Sequence, residues 1–289
     1  MRDFSDVTIV TVDGRDRDLH SAQLALVLSG RQMPGARLLL LSPRRPEILL
    51  PGIDHHQIGE LDYFQYNLFV VFALGPFIQT PFALIVQDDG WVVDGGKWTD
   101  EFFRYDYVGA PIHLARLTRS TGVSYATGFE WVNHLGDSAT GITPVMNGGF
   151  SLRSKRLLEA PATHGIDYQV PSPSRLLGPP YAMSWDANAH LEDVQICIHM
   201  RARLESLGIA FAPLDVARRF SIECYCPGLF SEDGVAECFG HHSKLRKLKS
   251  IDPLVIDYAV PHQVAETVYG ENIIADMLRR KGYAIEYAA

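Results

Sequence analysis

Short aliphatic runs alternate with stretches of helical apolar spacing over residues 1–95, and this alternation constrains the fold most. Residues 7–12, 36–41 and 84–86 have the composition of buried strands. Between them, residues 19–28 and 66–77 carry the apolar spacing of helices. The order strand, helix, strand, helix, strand predicts an α/β fold with a mixed, mostly parallel sheet flanked by helices, whose ligands bind at the carboxyl ends of the strands.

Composition narrows the class of protein. Hydrophobic residues make up 47% of the 289 residues and charged residues 21%, which indicates a globular chain with a full core. A net charge of -8 argues against nonspecific binding to nucleic acid or to an anionic membrane. No window has the roughly 18 apolar residues of a membrane span. The acidic start, MRDFSDVTIV, is unlike a signal or transit peptide. With only four cysteines, we expect a reduced cytoplasmic protein.

The remainder of the chain has a less regular pattern. Without internal repeats or a linker, we expect one domain over residues 1–250 and a helical extension over 251–289 that packs on it. The predicted elements are strands at 107–110 and 209–212, helices at 155–160, 193–207 and 264–281, and a long surface loop at 161–185.

Two adjacent carboxylates interrupt the apolar stretch LIVQDDGWVV at residues 84–93. Asp88 and Asp89 follow a buried strand, as Asp13 follows residues 7–12. Charged groups at the end of a core strand cost several kcal/mol to desolvate unless something pairs with them. A bound cation is one partner, and a tight turn capped by the Asp side chains is the other. Topology alone favours a ligand site here, because both acidic positions fall at carboxyl ends of parallel strands.

Six motifs in a fixed order resemble a known family. In this chain they read YNLF at 66–69, QDDG at 87–90, YDYVGAP at 105–111, NGGFSLRS at 147–154, EDV at 192–194 and FGHH at 239–242. Together they are similar to bacterial glycosyltransferase-like proteins of the GT-A class, which use nucleotide-sugar donors. The resemblance covers residues 7–245, and it implies a GT-A fold, a Rossmann-like α/β architecture.

The resemblance implies a divalent metal site. GT-A enzymes hold the cation on the donor diphosphate with an Asp-x-Asp motif, and Asp89 matches its last position. Gln87 replaces the first acidic residue, and Asp88 is assigned to the ribose or a metal-bound water. His242 matches a late metal contact, with His241 as a substitute. Oxygen ligands favour Mg²⁺ or Mn²⁺, and an imidazole favours Mn²⁺. From the residues alone, a capped turn and an ordinary core or surface histidine remain open.

The glycine-rich motif and the Glu-Asp pair carry the second set of implied roles. Asn147, Gly148 and Gly149 resemble a segment that forms a wall around donor and acceptor sugars, where glycine permits close backbone approach. By the resemblance, Asp193 is the general base that deprotonates the acceptor hydroxyl, and Glu192 binds hydroxyl groups. Two carboxylates at a helix start are also favoured by the helix dipole, so that structural explanation stays open.

The donor nucleotide has its own expected contacts. By the resemblance, Thr11, Asp13 and Gly14 lie where GT-A proteins bind base and ribose, and Asn67 belongs to the same donor-binding set as Gln87, Asp88 and the glycine-rich motif. A basic cluster (Lys244, Arg246, Lys247, Lys249) is either a solvated face or a clamp on the diphosphate. Three tryptophans are core residues or stacking platforms for sugar rings: Trp91, Trp131 and Trp185.

The sequence therefore predicts a metal-dependent, inverting glycosyltransferase with a nucleotide-sugar donor, a UDP-sugar being the first choice. The acceptor is a saccharide or glycolipid, and the expected context is polysaccharide biosynthesis at the bacterial surface. One alternative is a sugar nucleotidyltransferase, for which Gly14, Arg15 and Arg17 offer only part of the usual triphosphate loop. Another is a nucleotide-sugar binding module without catalysis, which the Gln87 substitution keeps open.

Overall fold

The computed structural model describes residues 2–169 and 175–289, which form one α/β domain around a seven-stranded mixed sheet. The strands are β1 (Val7–Val12), β2 (Arg37–Ser42), β3 (Ile53–Gln57), β4 (Phe82–Ile85), β5 (Gly90–Val92), β6 (Tyr107–Arg119), β7 (Gly122–Ala126), β8 (Gly141–Ser154), β9 (Arg175–Leu177), β10 (Ala182–Ser184), β11 (Ser221–Ile222), β12 (Gly240–His242), β13 (Arg246–Ile251), β14 (Leu254–Tyr258) and β15 (Ala284–Tyr287).

The α-helices flank this sheet or cap its ends. They are α1 (His20–Gln32), α2 (Tyr63–Phe72), α3 (Lys155–Thr163), α4 (Glu192–Val194), α5 (Arg201–Ser206), α6 (Leu214–Phe220), α7 (Glu232–Ala236), α8 (His262–Thr267) and α9 (Asn272–Arg280). A wide turn of helix over Gln195–His199 joins α4 to α5, where the amide of Met200 donates to the carbonyl of Gln195 five residues earlier.

The first half of the sheet is parallel, as the sequence predicts. Its order is β3-β2-β1-β4, and β1 lies between two buried neighbours: Ile9 pairs with Leu38 on β2 and with Leu84 on β4. The chain therefore runs outward from β1 to β3 and then returns to the other side of β1. A crevice forms outside the carboxyl ends of two strands where the strand order reverses in this way. Here the reversal lies between β1 and β4, directly before Asp13 and Gln87.

The second half of the sheet is antiparallel and differs from the prediction. The strand expected at 107–110 continues as β6 to Arg119, and the region without periodicity folds into β7 and the start of β8. Pro111 lies inside β6 because the pairing with β8 shifts register between Gly109 and Pro111, so its missing amide breaks no regular ladder. The polar edge strand β3, with the sequence IDHHQ, is also a strand that the apolar pattern did not predict.

Three further predictions need correction. The strand predicted at 209–212 is only a single bridge between Phe211 and Tyr107. The predicted loop 161–185 contains the end of α3 and the hairpin β9–β10, while residues 170–174 lie outside the described residues. The helix predicted at 264–281 is two helices, α8 and α9, separated where Gly270 has a φ of +64°. The strands β14 and β15 accompany them, so the segment beyond residue 250 is not only helical.

A small sheet next to the main one positions the late histidines. Its order is β11-β12-β5, and His242 on β12 pairs with Gly90 on β5, immediately after the acidic run. Close packing requires glycine at position 240, since a Cβ there would lie 2.1 Å from the Phe150 ring. The sequence motifs at residues 87–90, 147–154 and 239–242 are therefore neighbours in space.

Candidate functional site

Two adjoining cavities open at the crevice between β1 and β4. One has a volume of about 210 Å³ and includes Arg15 and Arg17 in its lining, and we call it the arginine cavity. The other, of about 590 Å³, is the acidic cavity, lined among others by Glu192, Asp193 and Glu223. Both share one wall formed by Tyr63, Tyr66, Gln87 and Asp89.

The arginine cavity contains carboxylates that are already paired with cations. Asp13 accepts hydrogen bonds from Nε of Arg15 (3.2 Å) and Nε of Arg17 (2.7 Å). Burial alone would raise the pKa of Asp13, but the hydrogen bonds from Arg17 and Arg15 outweigh it and lower the pKa. Asp88 lies 3.0 Å from Arg17 and 2.9 Å from Lys247. Arg17 thus bridges the ends of β1 and β4, and Lys247 adds a second positive charge at Asp88.

Thr11 and Gly14 line the same cavity for structural reasons as well. The Thr11 hydroxyl donates to the carbonyl of Val86 at 3.0 Å, which ties β1 to the end of β4. A Cβ at Gly14 would lie 2.3 Å from Cβ of Leu61, so glycine allows the chain after β1 to pass close to the start of α2. Both residues shape the cavity, and the Thr11 hydroxyl proton is already used.

The wall between the cavities carries a histidine–carboxylate pair. Nε2 of His242 lies 3.2 Å from Oδ1 of Asp89 and 3.1 Å from Oε1 of Gln87. The amide nitrogen of Gln87 donates to the Tyr66 hydroxyl at 2.7 Å, which turns its oxygen toward His242. The predicted partners Asp89 and His242 are therefore in direct contact.

A third carboxylate completes this group. Nδ1 of His242 lies 3.8 Å from Oε2 of Glu223, on the opposite side of the ring from Asp89. Burial lowers the pKa of His242, but the charges of Asp89 and Glu223 outweigh it and raise the pKa to about 10. Burial raises the pKa of Asp89, and the His242 charge lowers it below the usual value on balance. At neutral pH the histidine is thus an imidazolium between two carboxylates.

These residues fit a divalent cation by their donor atoms. Oδ1 of Asp89, Oε1 of Gln87 and Nε2 of His242 are a carboxylate oxygen, an amide oxygen and an imidazole nitrogen, the ligand types of Mn²⁺. The two oxygens lie 3.2 Å and 3.1 Å from Nε2, near the ~3 Å expected between adjacent ligands of one octahedral ion. Over residues 2–169 and 175–289, no three His, Cys, Asp or Glu side chains form a group that could hold a metal ion. The candidate set therefore depends on the Gln87 oxygen.

Asp193 is the most perturbed carboxylate of the acidic cavity. It lies on α4, is 8% exposed, and its Oδ1 accepts a hydrogen bond from the Val194 amide at 2.8 Å. Burial raises its pKa first, and the charges of Glu192 and Glu223 raise it further, to about 7. A carboxylate with a pKa near neutrality is suited to accept a proton and release it again.

Glu192, in contrast, is held by a buried arginine. Its Oε1 lies 2.9 Å from Nη2 of Arg153, whose side chain is fully buried, and its backbone amide donates to Oδ1 of Asn67 at 2.7 Å. Nη2 of Arg153 is also 3.4 Å from the carbonyl of Gly148. Among the described residues, Oε2 of Glu192 has no hydrogen-bond partner. One carboxylate oxygen is thus structural, and the other is buried without a partner among the described residues.

The glycine-rich motif is explained by close contacts with these acids. A Cβ at Gly148 would lie 1.7 Å from Oε1 of Glu192, and a Cβ at Gly149 would lie 2.4 Å from Nε2 of His242. Oδ1 of Asn147 accepts the amide of Phe150 at 2.9 Å and fixes the turn of the chain. The motif lies inside β8 and forms one wall of the acidic cavity.

Several predicted contacts are not made. His241 cannot substitute for His242, because alternate strand residues face opposite sides: it is fully buried against Trp91, and burial lowers its pKa. Trp91 and Trp131 are 0% exposed, so of the two interpretations they are core residues and not stacking platforms. Trp185 is only partly exposed and contacts the His190 ring. Of the basic cluster, Arg246 is buried away from the surface, whereas Lys247 reaches Asp88.

Sequence reasoning missed Glu223 and Arg153 as site residues. Glu223 follows the two-residue strand β11, which is too short to produce a periodic signal, although its acid at a strand end was visible. Arg153 was visible only as part of the NGGFSLRS motif, whose spacing does not reveal its pairing with Glu192.

The fold and site define an α/β protein with an acidic, histidine-containing site at the carboxyl ends of its parallel strands. Residues 74–242 match a family described as protein of unknown function (DUF5672), and the chain belongs to this family. The match contains the acidic run, the glycine-rich motif, α4 and His242. No curated protein matches the chain. Among residues 2–169 and 175–289, the helices are too short or too polar to span a bilayer.

Proposed function

We propose that this protein is a metal-dependent, inverting glycosyltransferase of the GT-A class. The observation that carries the proposal is that Asp193, Asp89 and His242 line the same cavity. A buried acid with a pKa of about 7 faces the same cavity as a strand-end carboxylate and an imidazole, and a cation-lined cavity adjoins it. Such an arrangement provides a base on one side of a reacting centre and charge neutralisation on the other.

The arginine cavity is the proposed place of the donor diphosphate. Arg17 and Asp88 line it, and Asp88 pairs with both Arg17 and Lys247. A diphosphate carries more negative charge than one carboxylate, and the planar guanidinium of Arg17 binds phosphate oxygens in pairs. The base and ribose then extend along Thr11, Asp13 and Gly14.

The acidic cavity is the proposed place of the acceptor and the transferred sugar. Asp193 takes the proton from the acceptor hydroxyl while the oxygen of that hydroxyl forms a bond to the anomeric carbon. The bond from that carbon to the diphosphate oxygen breaks, and its electron pair stays on the diphosphate. One displacement inverts the anomeric configuration. Oε2 of Glu192 and the backbone of Gly148 and Gly149 are the proposed contacts to sugar hydroxyls.

A Mn²⁺ or Mg²⁺ ion would be held by Asp89, Gln87 and His242, and it would neutralise the charge that develops on the diphosphate. Because Nε2 of His242 carries a proton at neutral pH in the free protein, binding the ion requires that proton to leave. Asp88 holds Arg17 and Lys247, in place of the contact to the ribose or to a metal-bound water that the motif resemblance implies.

The strand order supports the GT-A class. The reversal between β1 and β4 opens a crevice that receives Asp13 from one strand end and Gln87–Asp89 from the other. A UDP-sugar donor, a saccharide or glycolipid acceptor, a cytoplasmic location and a role in surface polysaccharide synthesis accompany the proposal through the motif resemblance.

The test is a thermal-shift screen of UDP-, GDP- and CMP-sugars with and without Mn²⁺. We expect one nucleotide class to raise the unfolding temperature only when Mn²⁺ is present, because a ligand that binds the native state stabilises it. Equal stabilisation in EDTA contradicts the metal requirement, and no stabilisation by any donor contradicts donor binding.

The two alternatives are distinguished by the products. Incubation of the stabilising donor with Mn²⁺ should release its free nucleotide (UDP or GDP, or CMP from a CMP-sugar), slowly with water and faster with an acceptor sugar. Consumption of a nucleoside triphosphate with a sugar phosphate would instead indicate a nucleotidyltransferase. Tight donor binding without any cleavage would indicate a binding module.

A further inference from the structure

A fully buried arginine lies behind the His242 side of the site and is not used in the proposed chemistry. Nη2 of Arg246 donates to the backbone carbonyl of His242 at 3.1 Å and is 3.3 Å from that of Glu223. One guanidinium nitrogen therefore contacts the backbones of both His242 and Glu223, the residues whose side chains meet at Nδ1 of the imidazole. The backbone amide of Ser243 also donates to the Asp89 carbonyl, which joins the same strand to the acidic run.

The arginine is held in turn by the C-terminal part of the chain. Nη1 of Arg246 lies 3.0 Å from Oε2 of Glu271, and the Tyr258 hydroxyl donates to the same oxygen at 3.1 Å. Arg246 and Tyr258 are direct partners across β13 and β14. Glu271 precedes α9 and lines the acidic cavity. All three residues lie beyond residue 242, where the family match ends.

We propose that residues 243–289 are a built-in part of the site, with Arg246 as a positioning residue that Glu271 and Tyr258 hold in place. Arg246 fixes the backbone of Glu223 and His242, so the two side chains meet at the correct distance from Asp89. The consequence for turnover rests on the proposed glycosyl transfer, whereas the positioning itself does not.

Burial explains why this arrangement needs all its members. The side chains of Arg246 and Glu271 are 0% and 4% exposed, so removing one of them leaves the other as an unpaired charge in the interior. Single deletions would therefore damage folding and positioning together. A double variant, Arg246→Met with Glu271→Leu, removes both charges and keeps similar side-chain volumes, so it separates the two effects.

The experiment compares the imidazole NMR signals of His242 at a fixed pH in the full chain, with His242→Gln used to assign them. We expect the folded double variant to shift these signals away from the wild-type positions. A matched control, Lys249→Met with Glu286→Gln, removes an exposed ion pair from the same C-terminal sheet and should leave the signals unchanged. Wild-type His242 signals in the folded double variant would overturn the positioning role.

If the double variant does not fold, Arg246→Lys serves the same test. It keeps a charge opposite Glu271 but presents one ammonium in place of a planar group with separate nitrogens for Glu271 and for the two carbonyls. Shifted His242 signals support the proposal, and unchanged signals overturn it. Removing residues that orient a ligand from behind typically costs about 10- to 100-fold in activity, and we expect this loss in kcat/KM for the donor. Absence of any transferase activity in the wild-type protein would overturn the proposed function but leave the NMR result intact.

Discussion

The two cavities share a wall, but Asp193 in the acidic cavity lies in an environment opposite to that of Asp13 and Asp88 in the arginine cavity. In the arginine cavity Asp13 and Asp88 each contact two cationic side chains, and the pKa of Asp13 is lowered. In the acidic cavity Asp193 has no ion pair among the described residues, and burial beside Glu192 and Glu223 raises its pKa to about 7. The same residue type is thus a fixed charge on one side and a proton acceptor on the other.

This difference suits the two cavities to different tasks, ligand binding in one and proton transfer in the other. Cations that are already in place suit a ligand with fixed negative charge, because little reorganisation is needed when it binds. An uncompensated acid suits a proton transfer, since its two protonation states lie close in free energy at neutral pH. Variants that remove the proton acceptor from one cavity or a cation from the other test the comparison.

The largest effect is expected for Asp193→Asn. The amide keeps the shape of the side chain but cannot take a proton, so transfer should fall by roughly 10²- to 10⁴-fold while donor binding remains near the wild-type value. Initial rates of nucleoside diphosphate release, with donor affinity measured separately, check this. The matched control is Asp167→Asn, an acid outside both cavities, which should have near wild-type rates. Full turnover by Asp193→Asn would remove the base from the mechanism.

The pH dependence of kcat/KM should have a rising limb near pH 7. In the proposed mechanism Asp193 acts only as the carboxylate, so activity should fall about tenfold for each pH unit below its raised pKa, or roughly 100-fold at pH 5. A flat profile between pH 5 and pH 8 would contradict this assignment.

Stability gives an independent check on the same group. Between its usual value of 3.8 and about 7, Asp193 keeps its proton in the folded state and loses it in the unfolded state. Folding stability from this group therefore falls as pH rises through that window. Asp193→Asn removes the penalty, so its gain in unfolding temperature over the wild type should be absent below pH 4 and largest above pH 7.

The sequence predicted the residues on this wall better than it predicted their environments. Asp89 and His242 could be paired through the motif resemblance, although it left His241 as a substitute for His242. The raised pKa of Asp193 could not be predicted, since it depends on burial and on the charges of Glu192 and of Glu223, which the short strand β11 brings to the site. Likewise β1, β2 and β4 could be predicted from their aliphatic runs. The predicted strand at 107–110 ends before Pro111, whereas β6 continues, because a register shift has no local sequence signal.

A smaller effect is expected for Asp89→Asn, which acts on the wall itself. The variant keeps an oxygen but loses the charge that attracts a cation, so Mn²⁺-dependent donor binding should weaken by about 10- to 100-fold. Isothermal titration with donor at fixed Mn²⁺ measures it. Asp94→Asn, an acid at the other end of β5, is the matched control and should bind as the wild type does. Wild-type donor affinity in Asp89→Asn, with the same dependence on Mn²⁺ as the wild type, would exclude Asp89 as a metal ligand.

The smallest effect is expected for Arg17→Gln in the arginine cavity. A hydrogen bond to a charged group contributes about 1.5 kcal/mol at the lower end of its usual range, which suits the partly exposed Arg17 side chain, so donor affinity should fall by roughly tenfold with little change in kcat. The loss should shrink at high salt because the missing contact is electrostatic. Arg44→Gln provides the control: this exposed arginine pairs with Asp16 and does not line the arginine cavity. If both variants bind the donor equally well, the diphosphate does not occupy the arginine cavity. If Arg17→Gln lowers kcat instead of affinity, the cation acts on the reacting centre, and the division of work between the two cavities is wrong.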